Sequence, residues 1–182
     1  MRRNKGVSAA TRVVPPPPGA GAVESFEDLY RRTLPRVYAY VASLLRDRSA
    51  AEEVTAQAFE RAYRRRASYR PGRGPVEAWL FGIARNAALD ELRRRRRRAQ
   101  VEVDGLDAGT VEDEEHGEAL LRREAVRAAL ATLDARERDL VALKFAGGLS
   151  NAEIARVLGQ SESNVGTRLH RTIEKLRKAC HE

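Results

Sequence analysis

From Phe26 onward apolar residues recur every three or four positions, and the chain reads as a succession of amphipathic helices. Phe26, Leu29 and Tyr30 form the apolar face of a short first helix. Pro35 interrupts it and suits the first position of a second, where its missing donor costs nothing. Val37, Tyr38, Val41, Leu44 and Leu45 continue the stripe. Ser49 is placed to cap a helix over Ala50–Arg66, with Val54, Ala58, Phe59, Ala62 and Tyr63 facing in. Glu52, Glu53, Gln57, Glu60, Arg61 and Arg64 fall on its outer face. The breaker Tyr69-Arg70-Pro71-Gly72-Arg73-Gly74-Pro75 ends in a proline suited to open the next helix, Pro75 to about Arg98. There Val76, Trp79, Leu80, Ile83, Ala84, Ala87, Ala88 and Leu92 make a broad inner face, while Phe81, Arg85, Asn86 and Asp90 point elsewhere.

Beyond a polar stretch the period resumes. Ala119–Ala131 is expected to be helical, with Leu120, Leu121, Val126 and Leu130 inward. Asp134 is a plausible cap for a helix over Ala135–Phe145 that buries Leu140, Val141 and Phe145. After Gly147-Gly148 comes the most informative pattern. Ser150 with Glu153 three residues on is a capping box. Ile154, Ala155 and Leu158 share one face, and Gly159 supplies a left-handed turn position. Ser161 caps a second helix, whose inward residues are Val165, Leu169, Ile173 and Leu176. Its outward residues, Asn164, Thr167, Arg168, His170 and Arg171, are the polar types that reach base edges and phosphates. This is a helix-turn-helix, and the architecture is all-α.

Charge changes the picture next. The formal net charge of +8 over 182 residues favours a polyanionic partner. Arginine occupies every position from Arg93 to Arg98. Cations at a helix C-terminus answer the macrodipole, but a run of this length also suits phosphate contact with counterion release. From Val101 to Glu118 the sign flips: Glu102, Asp104, Asp107, Glu112, Asp113, Glu114, Glu115 and Glu118 stand without a Lys or Arg. That marks a linker, either a solubilising spacer or a polyanion mimic that occupies a basic channel. Met1–Val23 is basic and then Pro-rich, a composition that builds no core: a flexible or polyproline-II tail, or an arm on nucleic acid.

Several chemistries are disfavoured. Cys180 is the one cysteine, so neither an internal disulfide nor a cysteine zinc site is expected, and a reducing, cytoplasmic setting fits. No P-loop, Cys-His pair or metal-ligand spacing occurs, and His116, His170 and His181 are far from a carboxylate cluster. No cofactor, no metal and no enzymatic activity are expected. No apolar run is long enough for membrane insertion, and the N-terminus carries no apolar segment before Pro15 that would make it a secretory signal.

Three stretches carry a family resemblance. Ala78-Trp79-Leu80-Phe81-Gly82-Ile83-Ala84-Arg85-Asn86-Ala87-Ala88-Leu89-Asp90-Glu91-Leu92-Arg93-Arg94 resembles regions 2.3–2.4 of the extracytoplasmic-function (ECF) sigma factors of bacteria. Ala51-Glu52-Glu53-Val54-Thr55-Ala56-Gln57-Ala58-Phe59 is similar to their region 2.2. Leu133–Arg138 followed by Gly148–Arg171 is similar to region 4. The resemblance covers about Ser25 to Lys178. It implies a chain divided into a tail (1–24), region 2 (25–98), an acidic linker (99–118) and region 4 (119–182). It also implies binding to core RNA polymerase through the clamp helices of its largest subunits and its flap, with promoter DNA as the second partner. An anti-sigma factor often accompanies such proteins. Family position places Glu52, Glu53, Gln57, Arg61 and Arg64 on polymerase. The same comparison puts Phe81, Ile83 and Asn86 around a flipped minus-ten base, beside the loop Tyr69–Gly74 with Tyr69, Arg70 and Arg73, and Arg93 and Arg94 on the same DNA. An extruded base needs an apolar wall and a hydrogen-bond partner, and unstacking it costs a few kcal/mol. Trp79 is expected to pack in the core instead. Ser163, Asn164, Thr167, Arg168, His170 and Arg171 fall on the minus-thirty-five element. Gly166 departs from the family, which usually carries Lys or Arg there. Arg168 and Arg171 then become the main candidates for guanine contacts.

A stand-alone helix-turn-helix regulator with an N-terminal sensing domain explains the C-terminus equally well. It gives no reason for the Trp79–Asn86 helix, the arginine run or the acidic linker.

Overall fold

Three long helices lie against one another at the N-terminal side, and a helix-turn-helix seats on them. The structure, a computed structural model, describes residues 25–101 and 126–181. The tail, the acidic linker with His116, and Leu120 and Leu121 lie outside the described residues. The helices are α1 (Phe26–Leu45), α2 (Arg48–Arg65), α3 (Val76–Val101), α4 (126–131), α5 (Ala135–Val141), α6 (Asn151–Leu158) and α7 (Glu162–His181). Among the described residues there is no strand.

Two expectations at the N-terminal side are corrected. Pro35 does not divide α1, which runs unbroken through it. The ring is exposed, so the bond it cannot give to the carbonyl of Arg31 is lost on the wet face, where water replaces it. Leu29, Thr33, Val37, Tyr40, Val41 and Leu45 keep one buried face across the proline. The cap of α2 is Asp47, not Ser49: its Oδ1 accepts from the Ala50 N–H at 2.9 Å. Its Oδ2 also accepts from Arg95 at 2.9 Å, which ties the start of α2 to α3. The Ala50 hydrogen bond, joined by Arg95, holds the Asp47 carboxyl below its usual range.

Val54, Ala58, Phe59 and Ala62 are buried on α2 as expected, whereas Tyr63 is 51% exposed. Tyr63 meets Phe26 edge to face at 5.2 Å and carries the Arg66 guanidinium over its ring. Thr55 is 3% exposed, and its hydroxyl is the buried side-chain oxygen without a partner among the described residues. Replacing it with the isosteric valine removes the unmet group without changing volume. Thr55→Val is expected to stabilise the chain by about 1 kcal/mol, a rise of roughly 2–4 °C in Tm for a chain of this size. A melting curve that did not rise would mean the hydroxyl is satisfied.

Among the described residues of the C-terminal half the predicted elements are present, with two exceptions in which side chains are buried. Asp134 forms a full capping box with Glu137, and Ser150 forms one with Glu153. Gly159 sits at φ +64°, and Ser161 receives the Asn164 N–H. Phe145, expected inside, is 65% exposed. The cause is a π-helical turn over Ala142–Ala146, closed by the Gly147 N–H on the Ala142 carbonyl. One extra residue per turn rotates Phe145 out of the register that buries Leu140 and Leu143. Val126, also expected inside, is 51% exposed at the start of the described part of α4.

One apolar cluster runs through both halves. Tyr40, Leu80, Phe81 and Ala84 share it with Leu140, Leu143, Leu149 and Ile154.

Candidate nucleic-acid interface

Two basic surfaces are built by different elements. The first is the outer face of α7. Ser163, Asn164, Thr167, His170 and Arg171 are exposed there, and Arg168 is partly so. Val165 and Leu169 anchor the opposite face and are buried. Gln160, in the turn, organises this surface: its Oε1 accepts from Asn164 Nδ2 at 3.2 Å and from Arg168 Nη1 at 3.0 Å. Gln160 is absent from the residues that the helical period marks, and its place in the turn two residues before the helix is the sequence signal for it. At Gly166, which is partly buried, an added Cβ would meet the Asn151 amide nitrogen in ordinary contact at 3.8 Å. Nothing steric requires a glycine there.

The second surface is α3 with the loop before it. Tyr69 Oη donates to the Gly74 carbonyl at 3.0 Å and closes the loop on itself. The Tyr69 ring meets Trp79 at 5.6 Å, and Trp79 packs at the margin of the core. Arg70 and Arg73 are exposed. Gly74 has φ +134° and ψ 178°, a conformation that only glycine adopts without strain. Along α3, Asn86 is exposed and Ile83 partly buried. Phe81 does not join them at the surface. It is fully buried, edge to face with Tyr40 at 5.7 Å and under Gly147, where an added Cβ would come within 2.9 Å of its ring. The expectation that Phe81 points away from the core fails because the α5–α6 connection covers α3 from a second side.

The arginine run is less free than its sequence suggests. Arg93 pairs with Asp90 at 3.0 Å, and Arg94 pairs with Glu91. Arg95 reaches both Glu91 and Asp47 at 2.9 Å. Burial pushes the Glu91 carboxyl up, but the hydrogen bonds from Arg95 and Arg94 outweigh it and leave the group below its usual range. Arg96, Arg97 and Arg98 are exposed and project from the last turns of α3. Acidic residues three and four positions before an arginine on a helix are the sequence signal for this pairing.

A third surface, on α2, presents Glu52, Glu53, Arg61 and Arg64 to solvent, with Gln57 partly covered. Glu53 accepts from Gln57 at 2.9 Å, and Arg64 pairs with Glu60 at 2.6 Å. The three surfaces lie on different elements. Among the described residues no group of His, Cys, Asp and Glu could hold a metal ion, and no helix is long and apolar enough to cross a membrane. The arrangement suits extended binding to macromolecules.

Comparison with known proteins agrees with this geometry. The family description Sigma-70 region 2 matches residues 29–98, and Sigma-70, region 4 matches residues 123–176. The chain is 35% identical over 165 residues to the RNA polymerase sigma factor CarQ of Myxococcus xanthus, covering 89% of this chain and 92% of CarQ. It is 33% identical over 160 residues to the ECF RNA polymerase sigma factor BldN of Streptomyces coelicolor, covering 86% of this chain and 61% of BldN. Among solved structures it is similar to the sigma factor RpoE of Bartonella quintana, crystallised with the anti-sigma factor NepR. That match has a TM-score of 0.71 at 25% identity, over 86% of this chain and 97% of RpoE.

Proposed function

The chain belongs to the ECF sigma factors of bacterial RNA polymerase, and we infer from that premise that it binds core polymerase, directs it to specific promoters and promotes their opening. The observation that carries this reading is the presence, in one chain, of a region 2 helix with its loop and a region 4 helix-turn-helix. Region 2 is taken as 25–98, the acidic linker as 99–118 and region 4 as 119–182, after a tail over 1–24. Sigma factors are not enzymes: the work is done by binding energy, with no bond made or broken. The setting is the cytoplasm, where polymerase and promoter DNA are found. An anti-sigma factor is a further expected partner.

The polymerase contact is assigned to Glu52, Glu53, Gln57, Arg61 and Arg64. Charged side chains on a rigid helix, held in place by neighbours one turn away, suit a complementary helical partner. Minus-ten recognition is assigned to Tyr69, Arg70, Arg73, Ile83, Asn86, Arg93 and Arg94, without Phe81, which is fully buried. An exposed carboxamide beside an apolar side chain supports base capture at Asn86 and Ile83. Minus-thirty-five recognition is assigned to Ser163, Asn164, Thr167, Arg168, His170 and Arg171, on the solvent face of the second helix of the motif.

Gly74 gives the loop a test of its own. Gly74→Ala forces a side chain into a backbone conformation that costs about 1–3 kcal/mol and drives the Cβ within 2.7 Å of the Arg156 side chain. Promoter opening, read by permanganate reactivity of minus-ten thymines, is expected to fall about tenfold, since ~1.4 kcal/mol is a factor of ten. Duplex binding at the minus-thirty-five element should hold. Opening at the wild-type level would remove the loop from the mechanism.

The function as a whole is tested by run-off transcription from a pool of bacterial promoter fragments, using core polymerase with and without the protein. Specific initiation only when the protein is present upholds the reading. Specific duplex binding by the protein alone, with polymerase indifferent to it, would replace the reading with a stand-alone helix-turn-helix regulator.

A further inference from the structure

The connection from α1 to α2 is two residues long, Arg46 and Asp47. Arg46 has φ +52°, and among the described residues no other non-glycine residue has a positive φ. A side chain in that conformation persists only where its surroundings hold it. The next residue, Asp47, is held twice. Its Oδ1 accepts from the Ala50 N–H and its Oδ2 accepts from Arg95 Nη2, both at 2.9 Å. Arg95 Nε donates to Glu91 Oε1, also at 2.9 Å, and Glu91 is buried, its side chain 8% exposed. One planar guanidinium therefore joins the cap of α2 to a buried carboxylate of α3. Burial sets this arginine apart within the run: its side chain is 33% exposed, against 66% for Arg93. Arg96, Arg97 and Arg98 are exposed. An arginine already engaged by two carboxylates has little charge left to offer a phosphate, whereas an exposed one still carries counterions to release.

We propose that Arg95 is a positioning residue for promoter opening: its bridge from Asp47 to Glu91 fixes the angle between α2, held by polymerase, and α3, which reads the minus-ten base. The proposal rests on those two assignments. Polymerase sets where α2 lies and where the DNA runs, so the angle between α2 and α3 decides whether Ile83 and Asn86 meet the extruded base. Asn86 precedes Arg95 by nine residues, about 14 Å along the helix axis. With the bridge as pivot, a rotation of α3 by about 4° moves Asn86 by about 1 Å. A misplacement of about 1 Å costs up to about a hundredfold where geometry must be exact. The chemistry of the bridge also requires arginine. Its fork presents Nε to one carboxylate and Nη2 to another, which the single nitrogen of lysine cannot do.

The test uses the full-length chain with saturating core polymerase on a promoter found by run-off transcription. Opening is read by permanganate reactivity of the minus-ten thymines, and DNA affinity is measured across a salt series. Arg95→Ala is expected to lower opening about tenfold while the slope of log affinity against log salt stays that of wild type. Arg97→Ala, the phosphate-contact control, should make that slope shallower by about 0.9. Arg95→Lys should behave like Arg95→Ala, although it keeps the charge. Asp47→Asn keeps the cap, since asparagine serves as well there, but takes one carboxylate from Arg95. It should lower opening about threefold, the opposite of what removing a negative charge near DNA does to a phosphate contact. Joined with Arg95→Ala it should add no further loss, because the two residues act as one unit. Circular dichroism verifies that each variant keeps its helix content. Wild-type opening by Arg95→Lys, or a slope flattened by Arg95→Ala as by Arg97→Ala, makes Arg95 a phosphate contact and overturns the proposal, as does wild-type opening by Asp47→Asn. Those results leave the sigma reading standing, because wild type still initiates. If wild type itself gives no promoter-specific run-off, the sigma reading fails, and the role of Arg95 with it.

Discussion

Replacing Asp139 with alanine is expected to lower the stability of the chain by about 3 kcal/mol. The carboxylate is 4% exposed and receives both the Tyr40 hydroxyl and the Arg85 guanidinium. Alanine leaves a fully buried hydroxyl with no acceptor and a partly buried cation with no counter-charge. Removing one member of a buried pair costs about 3–5 kcal/mol. The lower end applies because the Arg85 side chain is 27% exposed and can turn toward water. At roughly 2–4 °C per kcal/mol for a chain of this length, Tm should drop by roughly 6–12 °C. Asp139→Asn should fall between, since an amide oxygen can accept from one donor while its nitrogen faces the other. Tyr40→Phe should cost only about 1 kcal/mol, because the Arg85 pair survives. Burial, reinforced by Asp139, raises the Tyr40 pKa well above its ordinary value, so the hydroxyl stays a donor across the neutral range. An Asp139→Ala melting curve within 2 °C of wild type would show that the trio contributes little and that apolar packing alone holds the contact.

That trio also marks the limit of what the sequence discloses. The helix-turn-helix was legible because its signals are local. Ser150 with Glu153, Gly159 and Ser161 each act within one turn of the chain, and each stands where the spacing puts it. Asp134 with Glu137 is legible for the same reason. The misreadings have nonlocal or finer causes. Asp47 takes the cap that Ser49 was assigned, and its second oxygen meets Arg95, a residue 48 positions away. Phe145 leaves the core because a single π-turn shifts the register, and the apolar pattern across Ala142–Ala146 is the same for either helix type. A single buried face on α3 would turn Phe81 away from the core. Its burial depends on the α5–α6 connection, which arrives from the other half of the chain. Periodicity reports which face of a helix is buried, but not that a second body covers another. The candidate surfaces on α2 and α7 could be read because exposure follows directly from the helical period. The surface on α3 could be read only in part.

Arg168→Ala is expected to reduce recognition of a guanine-containing minus-thirty-five element by about ten- to a hundredfold, the equivalent of about 1–3 kcal/mol for a bidentate base contact. The expectation follows from two positions on α7. Gly166 supplies no side chain to the solvent face of α7, so the burden falls on the next residues of the same face. Arg168 is the better placed of the two arginines, since Gln160 accepts from its Nη1 at 3.0 Å and orients the guanidinium. The loss should depend on sequence: run-off transcription across a library varying each minus-thirty-five base should show relaxed preference at one position and little change at the others. A uniform loss at every base, with a shallower salt dependence, would identify Arg168 as a phosphate contact instead. Gly166→Arg provides the converse experiment. Its Cβ meets nothing closer than 3.8 Å, and leaving glycine in a helix interior should add up to about 1 kcal/mol of helix stability. If the new arginine strengthens binding on all sequences while Arg168→Ala still relaxes only one base, the two effects separate. Gly166 then limits how tightly the element is held, and Arg168 determines which element is chosen.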